Sequence, residues 1–173
     1  MKHIVRLYLF FFCTAAVLIP VANAAVANGT FQVLMTIQKS CSVTAGTGSD
    51  INLGSVDASA TNTTGNNTIS VNCSKTTPYF IGLSPSNNNT LGAGTMASAT
   101  NPATNTDTVP YQLNQTSATG PVWGNTATAA TVGNGVAGTG SGTAQTFTVY
   151  VTAASANFTP DNYADTVTVN VNY

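Results

Sequence analysis

The last nine residues read Asp165-Thr166-Val167-Thr168-Val169-Asn170-Val171-Asn172-Tyr173. Apolar and polar side chains alternate without a break. A period of two puts the three valines and the tyrosine on one face of a β-strand. Working back from there, Phe147, Val149 and Val151 alternate with Thr146, Thr148, Tyr150 and Thr152. Ile69, Val71 and Cys73 alternate with Thr68, Ser70 and Asn72, and Tyr79, Ile81 and Leu83 follow Pro78. Val109, Tyr111 and Leu113 surround Pro110, which lacks a ladder donor and so points to a sheet edge or a bulge.

No segment carries a sustained helical stripe. The stretches 58–67, 84–106 and 114–143 are rich in Gly, Asn, Thr, Ser and Ala, which is turn and loop chemistry. Val122-Trp123 reads as a short extra strand inside the third of them. Six or seven short strands are expected, which implies an all-β antiparallel sandwich of immunoglobulin-like character. A small barrel is the alternative. No repeat of fixed period is present, which disfavours a solenoid or a propeller.

Composition narrows the function. Of 173 residues 43% are hydrophobic and only 5% charged, and the length suits one domain. There is no Glu, and the net charge is −1. So few cations cannot form a basic patch, which excludes an electrostatic grip on nucleic acid. The single histidine is His3, inside the leading segment. Without it there is no Ser–His or Cys–His pair and no imidazole ligand for a metal. No enzyme activity and no cofactor are expected. Asp161 and Asp165 form the closest carboxylate pair, and turn chemistry is the reading they support better than acid–base or calcium chemistry.

The start of the chain is an address. Lys2, His3 and Arg6 precede an apolar run from Leu7 to Val21, and Ala22-Asn23-Ala24 is a small-x-small cleavage pattern. Residues 1–24 are therefore expected to be a secretory signal peptide, and the apolar run is short for a membrane span. Removing 24 of the 173 residues leaves a mature chain of 149, residues 25–173. Its only cations are Lys39 and Lys75, set against five aspartates. Its two cysteines, Cys41 and Cys73, form an even pair in an exported chain and read as a disulfide. Two free thiols or a metal pair are the alternatives. Both cysteines lie in phase with the apolar residues of their strands, as suits a bridge between neighbouring strands.

Two features are odd for a self-sufficient sandwich. The final strand runs to Tyr173 with no return strand after it and no charge after Asp165. At the other end, Phe31, Val33, Met35 and Ile37 alternate with Thr30, Gln32, Thr36 and Gln38, Leu34 being the one apolar residue on the second face. Open sheet edges invite pairing with another chain. The pattern leaves two readings of residues 29–43, the chain's own first strand or a segment made for another molecule's groove.

The order of features is familiar. It runs from a signal peptide through an alternating strand, Cys41, Leu53-Gly54 and Ile69-Ser70-Val71-Asn72-Cys73 to Tyr111-Gln112-Leu113, Trp123-Gly124 and Tyr163-Ala164-Asp165-Thr166-Val167-Thr168-Val169. This resembles the spore coat protein U domain family, which includes the Csu-type pilins of archaic chaperone–usher pili. The resemblance covers nearly the whole mature chain. It implies an incomplete immunoglobulin-like Greek-key sandwich lacking its last strand, polymerising by donor-strand complementation. It further implies a donor segment within residues 25–38 that presents Phe31, Val33, Met35 and Ile37. The acceptor edge would be formed by Val167, Val169, Val171 and Tyr173, and Cys41 and Cys73 would match the family's disulfide. The implied partners are neighbouring pilin subunits, a periplasmic chaperone and an outer-membrane usher. The implied location is an extracellular, cell-surface fimbria that supports adhesion and biofilm formation.

The chain departs from the family pattern in two places. Pro160 is followed by Asp161-Asn162 where a Pro-Gly pair is common, and Asn114 and Gln115 follow the Tyr-x-Leu motif where aromatic and basic residues are common. A tip adhesin of this class would carry a second domain, so a shaft or adaptor subunit is expected. Two rival functions share the sandwich. One is a secreted coat protein that forms no pilus. The other is a carbohydrate-binding module using Trp123, Tyr111, Tyr150 and Tyr163, although core or corner roles suit those rings better.

Overall fold

The structure is a computed structural model and describes residues 24–173. The expected signal peptide, apart from Ala24, lies outside the described residues. The chain divides into a leading segment, ending at Thr36, and a body, Ile37–Tyr173. Among the described residues no helix is long and apolar enough to cross a membrane.

In the leading segment, residues 24–36 form no strand, and Phe31, Val33, Leu34 and Met35 are exposed. The alternating run over residues 29–43, for which two readings stood open, becomes a strand of this chain only at Cys41. Alternation sets which side chains share a face, but a strand exists only when a neighbour takes up its backbone hydrogen bonds.

The body contains nine strands: β1 Cys41–Thr44, β2 Thr61–Cys73, β3 Pro78–Ser84, β4 Ala93–Ser98, β5 Thr108–Asn114, β6 Val136–Thr139, β7 Gln145–Ser155, β8 Tyr163–Ala164 and β9 Thr168–Asn172. One sheet has the order β1-β2-β7-β5-β4-β8 and the other β6-β3-β9, and every pairing is antiparallel. The body is thus an all-β antiparallel sandwich. Its core comes from the inward parity of the alternating runs, including Ile69, Val71, Ile81, Leu83, Leu113, Val149 and Val151. Trp123 is buried among them, and its indole N–H donates to the Ile81 carbonyl at 2.9 Å. Cys41 and Cys73 are direct cross-strand partners in β1 and β2 and are joined by a disulfide.

Three expectations need correction. Residues 58–60 are a turn, but 61–67 are not a loop, because β2 starts at Thr61 and pairs with β7 from Thr61↔Ser155 onward. Its polar outer half is a strand because β7 supplies the ladder. The stretches 84–106 and 114–143 likewise contain β4 and β6. In each of these a glycine stands directly opposite a tyrosine, Gly94 opposite Tyr111 and Gly138 opposite Tyr79. A β-carbon on either glycine would collide with the tyrosine ring, so the missing side chain lets each ring lie flat across the neighbouring strand. The ring supplies the packing that these Gly- and Ala-rich strands lack. Val122, expected in a short strand, makes a single bridge to Asn114.

Pro110 sits in β5, an interior strand, yet its missing donor costs little. The Leu113 N–H donates to Gly92 on the β4 side, so by alternation residue 110 faces β7. The β5–β7 ladder covers only Gln112–Asn114, and Pro110 lies beyond it at a local edge.

Candidate functional site

β9 pairs with β3 along one side, from Phe80↔Asn172 to Ser84↔Thr168. It ends its sheet, with no strand hydrogen-bonded along its outer side among the described residues. Next to this free edge lies a cleft of about 1020 Å³ that opens into the core. Val167, Val169, Ile51, Leu53, Val56 and Leu83 are among its lining residues.

Of the residues expected at the acceptor edge, Val169 and Val171 lie within β9, with Val167 just before it and Tyr173 just after. Val167, Val169 and Val171 pack against the core, whereas Tyr173 is exposed. The opposite wall escaped the sequence reading, although its alternation Ile51-x-Leu53 beside Gly54 was a visible signal. That segment forms no strand of its own. Asn67 ties its start to β2, its Nδ2 donating to the Asp50 carbonyl at 2.7 Å.

The cleft is polar at one end, where polar groups hold the approach to β9. The Tyr111 hydroxyl donates to Asp165 Oδ2 at 2.6 Å, and the Thr166 N–H donates to Asp165 Oδ1 at 2.8 Å. Burial and the carboxylate at its hydroxyl push the Tyr111 phenol well above its ordinary range. Asp161 accepts from Ser98 Oγ at 2.6 Å, Asn105 Nδ2 at 3.0 Å and the Asn162 N–H at 2.8 Å. Those donors, Ser98 and Asn105 first, hold its carboxyl well below the ordinary carboxylate range. Asp107 is lowered in the same way by the hydroxyl and N–H of Thr159. These carboxylates work as tethers between loops. No group of three or more His, Cys, Asp or Glu side chains able to hold a metal is present among the described residues.

The aromatic side chains serve the fold. The Tyr163 hydroxyl donates to the Thr159 carbonyl, four residues upstream, at 2.7 Å, as a tyrosine corner does. Tyr111 and Trp123 are buried, and Tyr150 is half-buried.

A family model, the Spore Coat Protein U domain, matches residues 27–170. This chain belongs to the spore coat protein U domain family. The matched span takes in part of the exposed leading segment, the cleft and most of β9. Comparison with curated proteins gives no significant match. Among solved structures, this spore coat protein U domain is similar to the CsuC–CsuE chaperone–tip adhesion subunit pre-assembly complex from archaic chaperone–usher Csu pili of Acinetobacter baumannii. The identity is 20% and the TM-score 0.47, over 80% of this chain and 40% of that one. It is also similar to a chaperone–tip adhesin complex of CFA/I fimbriae biogenesis, at 12% identity and a TM-score of 0.40, over 76% of this chain and 41% of that one. The chain spans about two fifths of the length of each.

Proposed function

We propose that this protein is a structural, non-catalytic subunit of a secreted chaperone–usher fimbria, joined to its neighbours by donor-strand complementation. The leading segment Gly29–Ile37 of one copy adds a strand along the free edge of β9 in another. Phe31, Val33, Met35 and Ile37 fill the apolar cleft, and Val167, Val169, Val171 and Tyr173 form the edge that receives them. Before assembly a periplasmic chaperone covers the same edge, and an outer-membrane usher exports the subunit to the cell surface. There the fibre supports adhesion and biofilm formation. Residues 1–24 serve as the signal peptide.

One observation carries this reading. An edge strand unpaired on one side borders a cleft of about 1020 Å³ that reaches the core residues Leu83, Leu113 and Val151, while Phe31, Val33, Met35 and Ile37 are all at least 78% exposed. Burying each such side chain is worth about 1.5–3 kcal/mol. An apolar cleft and an apolar segment both left in water are stable together only once each has found a partner. Membership of the spore coat protein U domain family supports the same reading.

Electron microscopy of cells that express the protein with and without the chaperone and usher genes tests it. Fibres are expected only when those genes are present. Secretion of a stable monomer without them would favour a coat protein that forms no pilus.

A further inference from the structure

The charges of the body are segregated along its long axis. β2 runs 13 residues from Thr61 to Cys73, or roughly 40 Å at about 3.3 Å per residue. Beyond its Cys73 end sit the only two cations after residue 24, Lys39 and Lys75, both exposed. They are brought close because Ser74 N donates to the Ser40 carbonyl at 2.9 Å and Ser40 N to Ser74 Oγ at 3.1 Å. Both also line one shallow hollow of about 510 Å³ with Ile37.

Four of the five aspartates gather toward the Thr61 end. Asp57 precedes β2 in the turn closed by Ala60, and Asp107 is bound by Thr159 just beyond β7. Asp161 is bound by Ser98 at the end of β4, and Asp165 lies just ahead of β9. At physiological ionic strength charges are screened over about 8 Å. Within one copy the two poles therefore do not neutralise each other.

We propose that successive copies meet pole to pole, with Lys39 and Lys75 of one copy facing Asp57, Asp161 and Asp165 of the next. This rests on the donor-strand reading above and adds to it a contact between the two bodies that the donor joins. Ile37, the last apolar residue of the donor, is two residues from Lys39, and Asp165 is two residues from Val167 at the head of the acceptor edge. A donor antiparallel to β9 brings Ile37 to Val167 and the lysines to the aspartate pole. A parallel donor would bring them to the Tyr173 end, beside the second copy's own Lys39 and Lys75. The charges therefore attract across an antiparallel junction and repel across a parallel one.

Zero-length carbodiimide coupling of assembled fibres, read by mass spectrometry of the peptides, tests this. Amide links from Lys39 or Lys75 to Asp57, Asp161 or Asp165 are expected. With the poles roughly 40 Å apart in one copy, such links join two copies. Fibres whose lysines couple only to Asp50 or to the Tyr173 carboxylate would overturn the pole-to-pole contact and leave the donor-strand reading standing. Failure of the chain to form any fibre would defeat both. A second arm uses the doubly substituted Lys39→Glu/Lys75→Glu protein, whose altered side chains are exposed and outside the core. Its fibres are expected to form about tenfold more slowly at low salt and to lose the salt dependence of the unaltered chain. Unchanged rate and salt dependence would count against the contact.

Discussion

Residues 29–37 and residues 166–173 carry the same period-two pattern, yet only the second is a strand. Thr168–Asn172 finds β3 beside it and forms a ladder, whereas the leading segment has no strand and keeps its apolar side chains in water. The difference teaches that alternation specifies a face and leaves open whose sheet that face will join. A segment equal in pattern to a paired strand, but unpaired, is what the proposed donor role requires.

The largest expected effect comes from breaking either half of that match. Phe31→Asp or Ile37→Asp should abolish fibres in electron micrographs while the body still folds on its chaperone, because a carboxylate would have to enter the apolar cleft. Val169→Asp should stop the edge from receiving a donor but leave its own leading segment able to give one. Mixing the Phe31→Asp and Val169→Asp proteins should then yield short oligomers by native gel and no long fibres. Normal fibres from Phe31→Asp would show that the leading segment is not the donor.

The next effect sharpens the boundary at which the first pattern becomes a strand. Cys41 opens β1 and is tied to Cys73, 32 residues away. Cys41→Ser should lower the stability of the body by about 3–4 kcal/mol in denaturant titration, with a matching fall in periplasmic yield.

Smaller effects sit at the approach to β9. Tyr111→Phe removes the hydroxyl that holds Asp165 and should cost about 1.5–3 kcal/mol, as for a hydrogen bond to a charged group. Urea unfolding measures it. Asp161 gives a dependence on pH. Its carboxyl is held below its ordinary value of 3.8 in the folded protein, so the unfolded chain binds the proton more readily. Its stabilising contribution is full above about pH 4–5 and is lost as the pH falls below that. The melting temperature should therefore drop on acidification, and Asp161→Asn should flatten that part of the profile.

Much of the fold was legible because the core strands announce themselves chemically. Val71, Ile81, Leu113 and Val151 all sit on the inward parity of alternating runs, and each is buried. β4 and β6 were illegible because Ala93–Ser98 and Val136–Thr139 hold too few apolar residues to show a period. Their place depends on Tyr111 and Tyr79 reaching across from other strands. The cleft was half legible. Val167 and Val169 are part of a nine-residue alternation, whereas Ile51-x-Leu53 is a signal of only two apolar residues and forms no strand of its own.

By itself the sequence determined the all-β class, the parity of the main strands, the near absence of charge and the exclusion of histidine chemistry after His3. These follow from side-chain type and spacing, which act locally. Only the tertiary structure decided that β9 has one hydrogen-bonded partner among the described residues, that Ile51 and Leu53 line the same cleft as Val167, and that the lysines and most of the aspartates lie at opposite ends. Those facts depend on which segments meet after the chain has folded back on itself, and no local pattern records such a meeting.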